Sequence, residues 1–186
     1  MNRHQSSRAT MTNDGAKAPA CMLTQLIMGG AWAGIAGGIL RIVSAFIPYA
    51  PDQAWLEALY GAIDLGMMFG LLAAYLFAAE AVGTVGQGGF VVALAGLASI
   101  VGPDAHAFGI DFYLLGSAIF MLGLAALAVQ LARRRVMIVA GALWVVAAAA
   151  AVIFALTALR PALALSGVAL GLGYVAAGRA IIARPG

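Results

Sequence analysis

Six long apolar stretches, separated by short groups of charged residues, prolines or glycines, fill the chain after residue 20. They cover residues 21–47, 55–79, 85–101, 107–131, 136–159 and 162–182. A helix that spans a bilayer needs about 20 apolar residues, and roughly 17 to 25 are tolerated. The pattern therefore predicts an all-α, polytopic transmembrane helical bundle with about six spans. The stretch at 85–101 is the shortest, and a five-span alternative makes it re-entrant.

The first 20 residues differ from the rest because they are polar, mixed in charge and rich in small side chains. A segment with so little apolar surface cannot offset the entropy lost on folding. We therefore expect a flexible tail at 1–20, ahead of one transmembrane domain at 21–183. The tail lacks the apolar core of a secretory signal. Cys21 is the single cysteine, so an intramolecular disulfide is excluded.

Composition places the chain in the same class. Hydrophobic residues make up 64% of it and charged residues 9%. A soluble domain of this size needs a charged surface that so few ionisable side chains cannot cover. The net charge of +3 does not indicate a nucleic-acid partner, because the basic residues stand at the ends of the apolar stretches. The lipid bilayer is the partner that we expect.

The basic residues also predict the orientation of the bundle. Lys and Arg in short loops lie preferentially on the cytoplasmic side. With six spans and a cytoplasmic N-terminus, eight basic residues face the cytoplasm and two face outward. The eight are Arg3, Arg8, Lys17, Arg133, Arg134, Arg135, Arg179 and Arg184, and the two are Arg41 and Arg160. We therefore expect both termini in the cytoplasm, and the inner membrane of a bacterium as the location.

Small residues indicate how the helices pack. The chain has 24 glycines, and several recur every fourth residue, a spacing that lets two helix backbones approach closely. Gly30, Gly34 and Gly38 follow this spacing in the first stretch, as do Gly66 and Gly70 in the second. The simpler interpretation is packing within one bundle. The alternative is a homo-oligomer, or a larger membrane complex, assembled through Gly and Ala faces.

A short sequence similarity suggests an internal repeat of helical hairpins. The second stretch contains Gly61-Ala62-Ile63-Asp64, and the fourth begins near Gly109-Ile110-Asp111. Such matches arise easily in a chain rich in Gly and Ala, so unrelated hairpins are the stronger interpretation.

Trp32 and Trp144 lie deep in their stretches, and we expect both to be packing residues.

Asp64 is the strongest functional candidate. An ionisable residue near the middle of a span is costly to insert, and such residues usually serve a function. Tyr60 and Glu57 precede Asp64 by four and seven residues, on the same helical face. Arg41, near the outer end of the first stretch, could pair with Asp64 on the neighbouring helix. The pair is either a structural ion pair, which is the favoured interpretation, or part of a site for a ligand, a proton or a substrate.

The predicted outer face carries further polar residues, among them Asp111. Asp104, His106 and Asp111 are types that ligate metals, but their spacing matches no metal-binding motif. Solvated loop residues are therefore the better explanation, and Asp104 and His106 are only weak metal candidates.

Several functions are excluded by what the chain lacks. Its 2 histidines stand outside the apolar stretches, so a bis-histidine haem inside one chain is not expected. The only lysine, Lys17, lies in the tail, so a retinal Schiff base within the membrane is excluded. Phosphate-binding loops, zinc-protease helices and nucleophile elbows are not found among its motifs. We expect no cofactor.

Three hypotheses of function follow, in order of preference. The first is an accessory or interaction subunit, because polar residues are few and the loops are short. The second is a small transporter or ligand-binding membrane protein that uses Arg41 and Asp64. The third is an intramembrane enzyme acting on a lipid-like substrate, with Asp64, Glu57 or His106 as the acid or base.

Overall fold

The computed structural model describes residues 14–47, 53–101, 106–107 and 110–184. Six helices account for most of this part of the chain: α1 Asp14–Ser44, α2 Ala54–Ala78, α3 Thr84–Ile100, α4 Phe112–Arg133, α5 Ile138–Thr157 and α6 Arg160–Ile182. A short β-hairpin lies between α3 and α4, and its two-residue strands are β1 His106–Ala107 and β2 Ile110–Asp111. The prediction of an all-α bundle is confirmed.

Five of the helices are long and apolar enough to cross a membrane: α1 from Met22 onward, α2, α4, α5 and α6. The exception is α3, which is mostly apolar but has only 17 residues. At 1.5 Å per residue it is about 25 Å long, at the lower limit for a span. The third stretch is thus a helix close to its predicted bounds, and it is the shortest of the six.

Two helices, α1 and α4, differ from the sequence-based bounds by more than two residues. α1 begins at Asp14 rather than at residue 21, and it ends at Ser44, where the Ser44 hydroxyl donates to the carbonyl of Arg41. Residues 1–13 of the predicted tail lie outside the described part of the chain. α4 begins at Phe112 rather than at residue 107, because the hairpin precedes it and the Asp111 side chain caps it.

Consecutive helices pack side by side, and α6 returns to pack against α1. The most extensive contact joins α3 to α4, followed by the contacts of α1 with both α2 and α6. By comparison α2 and α3 meet over a small area, where the rings of Tyr75 and Phe90 stack with centroids 3.9 Å apart. A single apolar core runs through the bundle.

Glycines allow the closest of these contacts. A Cβ atom on Gly34 would lie 2.8 Å from the Cα of Gly70, and one on Gly38 would lie 2.6 Å from the carbonyl oxygen of Gly171. These are backbone-to-backbone contacts of the kind that the glycine spacing predicted. The glycines that we considered for a homo-oligomer face therefore lie in contacts within the chain, and the prediction of an oligomer stays untested.

The tryptophan predictions have opposite outcomes. Trp144 is fully buried, as expected, but Trp32 is 60% exposed on the outside of the bundle, so its prediction as a packing residue was wrong. The reason is that α1 makes its closest contacts through its glycines, and Trp32 lies on a different side of the helix. Met22, Leu26 and Ile39 are exposed on the same helix.

Candidate functional site

Asp64 lies in the middle of α2, ten residues after Ala54. At 1.5 Å per residue it is about 15 Å from the start of the helix. Its side chain is 6% exposed, and Asp64 is the only buried Asp or Glu in the described part of the chain. The structure thus places the carboxylate that we singled out inside the bundle rather than on its outer surface.

Arg41 lies in the last turn of α1 and comes close to the level of Asp64. Gly37 and Gly66 meet at the contact between these antiparallel helices, which brings Arg41 opposite Ala62. Two residues along α2 correspond to about 3 Å, so Arg41 and Asp64 differ little in depth. Their opposite charges attract each other. The predicted partners are therefore neighbours on adjacent helices.

The Arg41 side chain is half-buried and also faces α6. Its Nε atom would lie 3.8 Å from a Cβ on Gly167. This nitrogen is buried and has no hydrogen-bond partner among the described residues. A guanidinium offers five N–H donors, so Arg41 has donor capacity to spare in this environment.

Tyr174 on α6 adds a third polar group, one that the sequence analysis did not single out. Its side chain is 1% exposed, and its ring packs against the backbones of Gly34 and Gly70. The hydroxyl is buried without a hydrogen-bond partner in the part of the chain that the structure describes. Gly70 follows Asp64 by six residues, or about 9 Å along α2. A tyrosine in an apolar helix is usually a packing residue, and only the position of α6 reveals its polar neighbour.

Trp144 and Ser166 show how buried polar groups are treated on the other side of α6. The Ser166 hydroxyl donates to the carbonyl oxygen of Ala147 at 2.9 Å and is therefore satisfied. The Trp144 indole meets the Tyr174 ring edge-on, with centroids 5.2 Å apart, and packs against Gly173. Its Nε1 is buried and lacks a hydrogen-bond partner among the described residues, as the Tyr174 hydroxyl does.

The remaining site candidates are not brought into this cluster as buried groups. Glu57 is exposed and Tyr60 is half-buried, both nearer to the start of α2 than Asp64. Asp111 is exposed at the start of α4, where its carboxylate accepts a hydrogen bond from the Leu114 N–H at 2.9 Å. The suggested repeat is not supported at this point, because Asp64 lies in the middle of a helix whereas Asp111 is a helix cap.

The weak metal candidates lie at the hairpin. His106 is the strand partner of Asp111, and Asp104 falls outside the described residues. Groups of three or more His, Cys, Asp or Glu residues that could hold a metal ion were not found among the described residues. Nothing in the described part of the hairpin adds to the weak sequence signal for a metal.

Comparisons with known proteins leave this site without a precedent. The chain matches no family model, and neither the curated proteins nor the solved structures include a significant match. Interpretation of the site therefore depends on its own chemistry. Asp64 accepts hydrogen bonds, whereas Arg41 and Tyr174 offer donors. We call these three residues, one each from α1, α2 and α6, the polar cluster.

Proposed function

We propose that this chain is a small solute-binding membrane protein, in which Asp64, Arg41 and Tyr174 bind a small polar solute as the binding step of a transporter. The observation that carries this proposal is the buried Tyr174 hydroxyl, which has no hydrogen-bond partner among the described residues and belongs to a ring that packs against α2 at Gly70, six residues after Asp64. A buried polar group left unpaired costs about 1–3 kcal/mol. A polar solute bound in the cluster would provide the missing partner.

The charge balance of the cluster supports the same function. An ionisable side chain within a span is costly, and such residues commonly mark pathways for ions or solutes. Arg41 offsets the charge of Asp64, but it leaves its own Nε without a partner. A purely structural pair would be expected to satisfy its donors, since each buried unpaired donor lowers stability.

The direct test is a thermal-shift titration of the purified protein in lipid nanodiscs. The solutes are acetate, methylammonium and acetamide, which are similar in size and differ in charge. We expect at least one of them to raise the melting temperature of the wild type in a saturable way, because ligands that bind the folded state stabilise it. The shift should disappear in Asp64→Asn and persist in the control Glu80→Gln, which changes an exposed carboxylate.

Two outcomes would count against solute binding. One is a set of equal shifts in the wild type, Asp64→Asn and Glu80→Gln, which would mean that the solute acts away from the cluster. The other is the lack of a shift with all three solutes, combined with a melting temperature that Tyr174→Phe leaves unchanged.

An accessory subunit of a membrane complex is the second candidate, and the short connections between helices favour it. Five residues separate α2 from α3, and two separate α5 from α6. Connections of this length do not form a catalytic domain outside the membrane. In this case a partner would bind the apolar outer face of the bundle, and the polar cluster would only hold α1, α2 and α6 together.

A further inference from the structure

Arginines are concentrated at one end of the bundle. Because neighbouring helices are antiparallel, the α2–α3 turn, the α4–α5 turn and the end of α6 lie at the same end. Five exposed arginines and one exposed glutamate are described there: Arg133, Arg134, Arg135, Arg179, Arg184 and Glu80. This end therefore carries a clear excess of positive charge.

The opposite end is balanced. Its described charged residues are two arginines and two acids: Arg41, Arg160, Glu57 and Asp111. The difference between the ends is greatest at Arg133, Arg134 and Arg135, which we call the arginine triplet.

The backbone of the α4–α5 turn holds the arginine triplet outward. The N–H of Arg134 donates to the carbonyl of Gln130 at 2.9 Å, and the N–H of Arg135 donates to that of Ala132 at 3.1 Å. Arg135 adopts the left-handed conformation, with φ of 58°, which few residues other than glycine adopt. Backbone bonds thus close the turn, and all three side chains are exposed.

The triplet also reaches the neighbouring turn. A guanidinium nitrogen of Arg134 lies 4.0 Å from the position of a Cβ on Gly83, at the start of α3. The arginines therefore cover both turns at this end, at the level where membrane-spanning helices leave the hydrocarbon and meet lipid headgroups.

We propose that the arginine triplet is a binding site for the headgroups of anionic phospholipids. A guanidinium can form two parallel hydrogen bonds with one phosphate, and its charge does not depend on pH in the physiological range. A basic residue close to an anionic membrane surface increases binding by about fivefold. The headgroup is favoured over a soluble anion because the triplet lies beside the bilayer surface, where headgroups are concentrated. This site is separate from the polar cluster and does not depend on its proposed function.

The test compares lipids retained by the protein from a mixture of phosphatidylglycerol and phosphatidylcholine, measured by native mass spectrometry. The variant is Arg133→Gln/Arg134→Gln/Arg135→Gln, and the control is Arg160→Gln, which changes an exposed arginine at the opposite end. We expect the wild type and the control to be enriched in phosphatidylglycerol, and the triple variant to lose about tenfold or more of that enrichment. The enrichment should also fall as salt rises from about 0.1 M to about 1 M.

Three results would overturn the proposal. The first is equal enrichment in the wild type and the triple variant, and the second is an equal loss in Arg160→Gln. The third is competition by millimolar inorganic phosphate, which would identify a site for a soluble anion. The melting temperature of each variant in phosphatidylcholine alone establishes whether it is folded, and Arg134→Gln replaces the triple variant if that protein is unstable.

Discussion

The junction of α1, α2 and α6 and the contact between α3 and α4 are packed in the same way but differ in the side chains that they bury. In both, glycines bring helix backbones into contact. Gly34 meets Gly70 in the junction, and Gly89 of α3 meets the backbones of Gly123 and Leu127 of α4. The junction also encloses Asp64 and Tyr174, whereas the described contact between α3 and α4 buries no charged side chain. Its polar side chains are Gln130, which lies against Gly86, and Ser99, whose hydroxyl donates to the carbonyl of Gly96 at 2.7 Å. Close packing alone therefore does not require buried charge, which suggests a separate reason for it in the junction.

The largest effect on stability should come from filling a glycine contact between α3 and α4. In Gly96→Ala the new methyl group would overlap the backbone of Phe120, which cannot move without displacing α4. We expect the free energy of unfolding to fall by about 1–3 kcal/mol, measured by thermal or denaturant unfolding in detergent. In the control Gly88→Ala, nothing described lies within 4 Å of the added atom, and stability should stay constant or rise. Equal effects at both positions would show that α3 and α4 are not in close contact at Gly96.

The next effect separates the two charges of the junction. Arg41→Gln removes the attraction that stabilises the buried carboxylate, so we expect a loss of about 1–2 kcal/mol. Asp64→Asn should be close to neutral, because the half-buried arginine can extend toward the membrane surface. The double variant should then resemble Asp64→Asn. If Asp64→Asn is instead as destabilising as Arg41→Gln and the double variant recovers the loss, the pair is structural.

A smaller effect distinguishes the unpaired hydroxyl of the junction from a paired one. Tyr174→Phe removes a buried donor that has no hydrogen-bond partner among the described residues, so the melting temperature without solute should rise. Ser166→Ala removes a hydroxyl bonded to Ala147, and it should cost about 1 kcal/mol. A decrease in stability in Tyr174→Phe would mean that the hydroxyl is satisfied and would weaken the solute-binding proposal.

The smallest effect lies outside both regions and calibrates the others. Ala158, between α5 and α6, has a φ of 54°, and its N–H donates to the carbonyl of Phe154. Glycine adopts this conformation without strain, and it is the common residue at such helix ends. We expect Ala158→Gly to stabilise the protein by about 0.5–1 kcal/mol in the same unfolding assay. A loss of stability would indicate that the Ala158 methyl group contributes packing that outweighs the strain.

Much of the fold could be predicted from the sequence because length and hydropathy determine helices in a bilayer. The bounds of α2 and α3 differ from the predicted ones by a single residue at each end. The start of α4 could not be predicted, since apolar residues before Phe112 belong to the β-hairpin, and hydropathy does not distinguish a β-hairpin from a helix. The prediction that Trp32 is a packing residue was wrong for a related reason, because depth along a helix does not reveal which side of the helix faces the lipid.

The candidate site was only half accessible to the same reasoning. Asp64 and Arg41 could be found because charge is rare in apolar stretches. Tyr174 could not, because its significance depends on α6 lying against α1, more than 110 residues away in sequence. Such a contact is set by tertiary packing at Gly38 and Gly171, whereas a single sequence gives only the local pattern of each helix.

The shortness of α3 has a consequence for the lipid around the protein. Its 17 residues cover about 25 Å, whereas a typical hydrocarbon layer is about 30 Å thick. The bilayer beside this helix would have to thin by several ångströms, at a cost of fractions of a kcal/mol per ångström. The protein would consequently be at lower energy in thin bilayers, and lipids with shorter acyl chains would collect along the side of the bundle that α3 forms.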